Sequence, residues 1–209
     1  AAGSSAGIVR GRSGRQRPYI IGTNAAEGAV EHQAANAPVH DETEYRSALA
    51  RRFGTRTDAI LAQYPVSRFA SANDAITSVS TDAFFACPAR ETALYAARAS
   101  LPVRAYDFDM ANPYAPSTGA SHGAELFYFF VPIEGSATAE QLEVADAMRR
   151  YWVRFAARGD PNGGDDPEWP MFTPNHDVRL DLKSPIAAVT NFRADDCDFW
   201  RDLEVGIRF

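Results

Sequence analysis

An alternation of short strand-like runs with longer helical stretches most constrains what this chain can fold into. Pro18-Tyr19-Ile20-Ile21-Gly22 is a short apolar run with β-branched residues, bounded by Pro and Gly, as expected for a buried parallel strand. Val103 to Phe108 (V-R-A-Y-D-F) carries strand periodicity. Between them the spacing turns helical. Tyr45, Leu49, Phe53, Ile60, Leu61 and Tyr64 mark one segment from Glu42 to Tyr64, punctuated by Gly54 and Pro65. Ala72 to Arg98 reads as one long helix or two stacked ones, interrupted at Cys87-Pro88, because a Pro disfavours helical geometry in the residue before it. Further on, Thr138-Ala139-Glu140-Gln141 is a capping box. It opens a helix that should bury Leu142, Ala145, Met148, Trp152 and Phe155 and stop at Gly159. Val178 to Leu182 and Ala187 to Thr190 read as strands, and Asp195 to Leu203 as a closing helix. The pattern is that of an α/β protein with a mainly parallel sheet and flanking helices. It contains no internal repeat and no second domain.

One loop stands out chemically. Gly119-Ala120-Ser121-His122-Gly123-Ala124-Glu125 follows the Val103 strand across a Pro- and Gly-containing stretch, Asn112 to Gly119. Small residues flank the imidazole of His122, so little bulk screens it from a cleft. The apolar segment Leu126 to Pro132 then returns the chain to a core. A His on a loop after a strand is where an α/β enzyme places a general base. Four acids could orient it: Glu27, just past the end of the Tyr19 strand, Glu125, three residues after His122, and Asp107 and Asp109 at the end of the Val103 strand. Glu125 is expected to hold its own loop through hydrogen bonds to backbone. A partner carboxylate fixes the imidazole tautomer and stabilises the imidazolium formed during acyl transfer.

Composition narrows the classes. The 209 residues are 45% hydrophobic and 11% aromatic, enough for one sizeable core or part of a larger one. The net charge is −6. Arg10, Arg12, Arg15 and Arg17 contribute +4 without an acid in residues 1–17, so the remainder carries −6 − 4 = −10. An acidic body argues against nucleic acid as a partner. The longest apolar run, the seven residues Leu126 to Pro132, is far below the roughly 20 needed to span a membrane. One Lys against twenty Arg points to a GC-rich bacterial gene. No metal site assembles: His32 and His40 stand eight apart in a loop-like segment, His176-Asp177 is a turn pair, and Cys87 and Cys197 lack CxxC partners. Gly3-Ser4-Ser5-Ala6-Gly7 satisfies G-x-S-x-G. A nucleophile elbow, however, needs a strand before it and a helix after it, where only Ala1-Ala2 and a Gly- and Arg-rich stretch stand.

Four segments together resemble the C-terminal part of the type B carboxylesterases, the cholinesterase-like branch of the α/β-hydrolases. They are Pro18-Tyr-Ile-Ile-Gly-Thr-Asn-Ala-Ala-Glu27-Gly28, the His122 loop, Tyr151-Trp-Val-Arg-Phe-Ala-Ala-Arg-Gly-Asp-Pro-Asn162 with Trp169-Pro170, and Cys197-Asp-Phe-Trp200. The resemblance implies an incomplete α/β-hydrolase fold, with residues 1–17 as a loop or frayed segment and 18–209 as the C-terminal portion of a carboxylesterase domain. It implies Glu27 as triad acid, His122 as triad base, Glu125 as support of the His loop, and a disulfide between Cys87 and Cys197. Such a bridge implies an oxidising compartment, secreted or periplasmic. A carboxylic ester is the implied substrate, and no metal or organic cofactor is required. The nucleophilic Ser and glycine-rich oxyanion loop belong, in that family, to an upstream half that the residues before Tyr19 cannot hold. The resemblance therefore implies a partner, the missing N-terminal half, and an isolated chain that is inactive. The alternatives are a non-catalytic cholinesterase-like interaction module and an abridged esterase using Ser5.

Overall fold

The computed structural model describes residues 17–29 and 38–203; Ser5, His32 and the first three arginines lie outside them. Four strands, β1 (Tyr19–Asn24), β2 (Val103–Phe108), β3 (Val178–Leu182) and β4 (Ala187–Thr190), form one sheet in sequence order. β1, β2 and β3 are parallel, and β4 returns antiparallel to β3. Residues 25–102, between β1 and β2, carry α1 (Glu42–Phe53), α2 (Thr57–Gln63), α3 (Ala72–Thr81) and α4 (Cys87–Arg98). Between β2 and β3 run α5 (Ala124–Phe130) and α6 (Ala139–Arg158), and α7 (Ala194–Asp202) closes the described chain.

Side-chain alternation along the strands sorts the core into two layers. Ile21, Val103 and Ala105 turn toward α4, where they pack with Ala93, Leu94 and Phe172. Ile20, Tyr106, Phe108, Leu180 and Leu182 turn to the opposite face and pack against α5, α6 and Trp169. A third cluster joins α1, α2, α3 and α7 around Tyr45, Leu49, Tyr64 and Trp200. Burying a large apolar side chain contributes roughly 1.5–3 kcal/mol, so these layers set where each strand end lies.

Several expectations need correction. β1 is parallel but not buried. It is an edge strand among the described residues, Tyr19 is 39% exposed, and only Thr23 and Asn24 are fully covered. β2, read as alternating, is instead central and buried on both faces except at Tyr106, because β1, β3 and both helical layers enclose it. Its Arg104 is accommodated by donating to the Trp169 carbonyl (2.9 Å) and to Asp160 (3.0 Å). The Leu126–Pro132 segment, expected to return the chain to a core, does so only in part, its first five residues lying in the short helix α5. Ala124 and Tyr128 point inward, whereas Leu126 and Phe130 are 50% and 79% exposed. The helix from Ala72 does not break at Cys87-Pro88. α3 passes through a π-helical turn, Asp82–Ala86, directly into α4, with Pro88 in the first turn. The wider turn carries the chain into the Pro without requiring its missing N–H.

Helix ends follow their caps. Thr138 and Gln141 close the capping box of α6, and Gly159 ends it. Its inward stripe is Val144, Ala145, Met148 and Tyr151, with Trp152 and Phe155 only half-buried. Cys87 and Cys197 form a disulfide linking α4 to α7.

Candidate active site

Two loops meet at the carboxyl end of the parallel strands. The acid loop, residues 24–28, leaves β1; the His loop, residues 119–123, follows β2 and a 3₁₀ turn at Pro116–Thr118. Their backbones are tied to each other and to the sheet. Ala25 N–H donates to the Phe108 carbonyl (2.9 Å), and Ala26 N–H to the Ala120 carbonyl (3.0 Å). Gly28 N–H donates to Thr81 Oγ1 (3.0 Å). A Cβ on Gly28 would lie 2.5 Å from Ser80 Cβ and 2.6 Å from the Thr77 carbonyl oxygen, so only glycine lets the loop approach α3 this closely. On the other side Gly123, at φ +80°, turns the chain from His122 into α5.

This arrangement brings Glu27 and His122 together across 95 positions. Oε2 of Glu27 lies 2.6 Å from Nδ1 of His122, and Oε1 accepts the Asn24 N–H at 2.9 Å. The Glu27 side chain is 9% exposed and that of His122 is 61% exposed. The carboxylate is thus enclosed while the imidazole faces outward. Phe85, carried by the π-helical turn, places its ring 5.5 Å from the imidazole at 47°. Burial, joined by the negative charges of Glu125 and Glu27, pushes the Tyr106 hydroxyl well above its ordinary range, so it stays neutral.

The other candidate acids go elsewhere. Asp107 is buried on β2, where burial raises its carboxyl to about 7 against the opposing pull of Arg193 and Arg179. Asp109 faces Lys183 at 4.0 Å. Glu125 does reach across to hold the loops, but its partner is a side chain, the Asn24 amide, and not the backbone hydrogen bond expected. Among the described residues no group of three or more His, Cys, Asp and Glu could hold a metal ion. No helix among them is long and apolar enough to cross a membrane.

Asn24, Phe85 and Arg193 were not singled out in the sequence. Arg193 donates to the Ala25 carbonyl (3.0 Å) and pairs with buried Asp82. Only the position of Asn24 at a strand's carboxyl end, three residues before an acid, carried any signal.

A mainly parallel sheet covered by helices on both faces, with an acid loop and a His loop meeting beyond adjacent strand ends, defines part of an α/β hydrolase. The carboxylesterase family profile matches residues 6–200, so the chain belongs to the carboxylesterase family. Fumonisin B1 esterase of Sphingopyxis macrogoltabida is 30% identical over 169 residues, 76% of this chain and 31% of that protein. Acetylcholinesterase of Gallus gallus is 34% identical over 152 residues, 69% of this chain and 19% of that protein. Liver carboxylesterase of Sus scrofa is 24% identical over 210 residues, 94% of this chain and 36% of that protein. The chain therefore spans well under half the length of these curated relatives.

Proposed function

We propose that the chain supplies the acid and base of a Ser–Glu–His ester hydrolase, with Glu27 as acid and His122 as base. The observation that carries the reading is the 2.6 Å approach of Glu27 Oε2 to His122 Nδ1, with the carboxylate enclosed and the imidazole open. In that reading Nδ1–H is held by the carboxylate. Nε2 takes the proton from a serine hydroxyl as it attacks a carboxylic ester, then returns it to the leaving alkoxide. Glu27 fixes the tautomer and balances the imidazolium charge.

The serine and the oxyanion donors come, in this proposal, from the portion of a carboxylesterase outside these 209 residues. Triad members act as a unit, so an acid and base alone give little catalysis. The Cys87–Cys197 bridge supports an oxidising, secreted or periplasmic setting.

The test is hydrolysis of p-nitrophenyl esters by the chain alone and after assembly with a separately expressed N-terminal carboxylesterase half. Activity is expected only in the assembled mixture and should be lost in His122→Ala. An inactive assembled mixture, or one indifferent to His122→Ala, overturns the assignment. Activity in the chain alone that disappears in Ser5→Ala would assign the nucleophile to Ser5 instead.

A further inference from the structure

We infer that Asn24 is the positioning residue that locks the acid loop against the His loop, an inference resting on the reading of Glu27 and His122 as a catalytic pair. Asn24 is 1% exposed and commits all three of its N–H groups to this junction. Its backbone N–H meets Glu27 Oε1 (2.9 Å), which turns the other carboxylate oxygen toward the imidazole. Its side-chain amide donates to the Ser121 carbonyl (2.8 Å) and to Glu125 Oε2. One residue of the acid loop thus grips the residue before His122 and the residue three after it.

The side-chain type matters. Only an amide offers two donors at this length. An aspartate would set a second carboxylate against Glu125, and a serine could satisfy one acceptor at most. The His122 side chain is 61% exposed and inherits its position from its loop more than from surrounding walls. Between the loops the Ala26–Ala120 backbone bond is a further direct tie beside the Glu27–His122 contact itself. Since displacements near 1 Å can cost on the order of 10²-fold in rate, a lock at this junction has a catalytic consequence.

The test is proton and nitrogen NMR of the imidazole in the 209-residue chain. The intact pair should give a slowly exchanging Nδ1–H signal downfield of the amides, and the Nδ1–H tautomer should dominate. Both should vanish in Glu27→Ala. In Asn24→Ala and in the near-isosteric Asn24→Asp, exchange should accelerate at least tenfold and the tautomer preference should be lost. Glu125→Gln, which keeps an acceptor for Asn24, should retain the signal. The indole N–H signals of Trp169 and Trp200, both hydrogen-bonded in the core, report folding independently. Loss in Glu27→Ala with parent-like exchange in both Asn24 variants overturns the inference alone. Collapse of the indole signals in both Asn24 variants also counts against it, since Asn24 would then support the fold at large. A parent chain without the signal, or one unchanged by Glu27→Ala, overturns the underlying reading instead.

Discussion

At the scale of single residues, the carboxylates of this chain differ mainly in what surrounds them. Glu27 is enclosed but fully employed, each oxygen meeting an N–H or an imidazole nitrogen. Asp107, a few residues from the same strand ends, is equally buried yet leaves Oδ1 without a partner. Its register neighbour on β3 is Asp181, a second buried acid, and Thr23 flanks it on β1. Burial holds its carboxyl near 7 even with Arg193 and Arg179 close by. The sign for stability follows from proton counting. An unfolded Asp ionises near ~3.9, so between roughly pH 4 and 7 the folded state binds the extra proton. Stability from this group is therefore full in acid and declines as pH rises through about 7. The cost above that point is on the order of 4 kcal/mol by linkage. Asp107→Asn is expected to abolish this decline and to raise stability at pH 8 while changing it little at pH 4. Urea unfolding midpoints of parent and variant at the two pH values check this. Equal pH dependence in both would place the titrating group elsewhere.

At the scale of elements, what could be read in the sequence was governed by local chemistry. The ends of α6 were legible because a capping box and a terminal glycine act on their own backbone neighbours. The strands β2 and β3 were legible because their apolar residues alternate, although burial does not follow that spacing: Arg104, Asp107, Arg179 and Asp181 between them are buried as well. The edge position of β1 was not, since Tyr-Ile-Ile-Gly has the same composition at the centre of a sheet and at its rim. Nor was the π-helical turn: Cys87-Pro88 marked a discontinuity but not its location, which falls one turn earlier where Phe84 and Phe85 stand. His122 was prominent on sequence grounds, whereas the choice of Glu27 over Asp107 or Glu125 needed three-dimensional proximity or family resemblance. The bridge between α4 and α7 is an element-scale device, since both cysteines are buried and it joins helices that also meet through the Arg90–Asp198 pair (3.3 Å) and the π turn. Closing a loop of 110 residues contributes up to about 4–5 kcal/mol by chain entropy. Replacing both cysteines with serine should lower the unfolding free energy by an amount approaching that figure. The same denaturant titration, at fixed pH, measures it. An unchanged midpoint would mean that the other ties of α7, Trp200 to Tyr64, Asp196 to Gln63 and Asp198 to Arg90, hold it without the bridge.

At the scale of the whole molecule, the decisive feature is the outer edge of β1. Tyr19 N–H donates to the Pro102 carbonyl (2.8 Å) and Ala25 N–H to the Phe108 carbonyl (2.9 Å). Backbone N–H groups alternate along a parallel strand, so those of Ile20 and Gly22 face away from β2. Nothing among the described residues pairs with them. A shallow groove lined by Tyr19, Ile21, Gly22, Tyr106, Trp152 and Phe155 lies along this edge. Exposed Val153, at 68%, stands on α6 beside Trp152. A parallel edge left unpaired among the described residues, with apolar walls, is a template for another strand. In the proposed enzyme that strand comes from the N-terminal half. In its absence the expected occupant is a second copy of the same chain. Sedimentation velocity should therefore show concentration-dependent self-association of the isolated chain. Tyr19→Lys places a charge on an already exposed edge position, where it costs the fold little and repels a like edge. It should raise the concentration for half-association by about tenfold, equivalent to ~1.4 kcal/mol. The assembled two-part enzyme should sediment as a single complex, because the same backbone groups would be occupied. A chain that stays monomeric at all concentrations, with a sharp cooperative thermal transition, would mean the edge is covered from within the 209 residues and that the sheet needs no further strand.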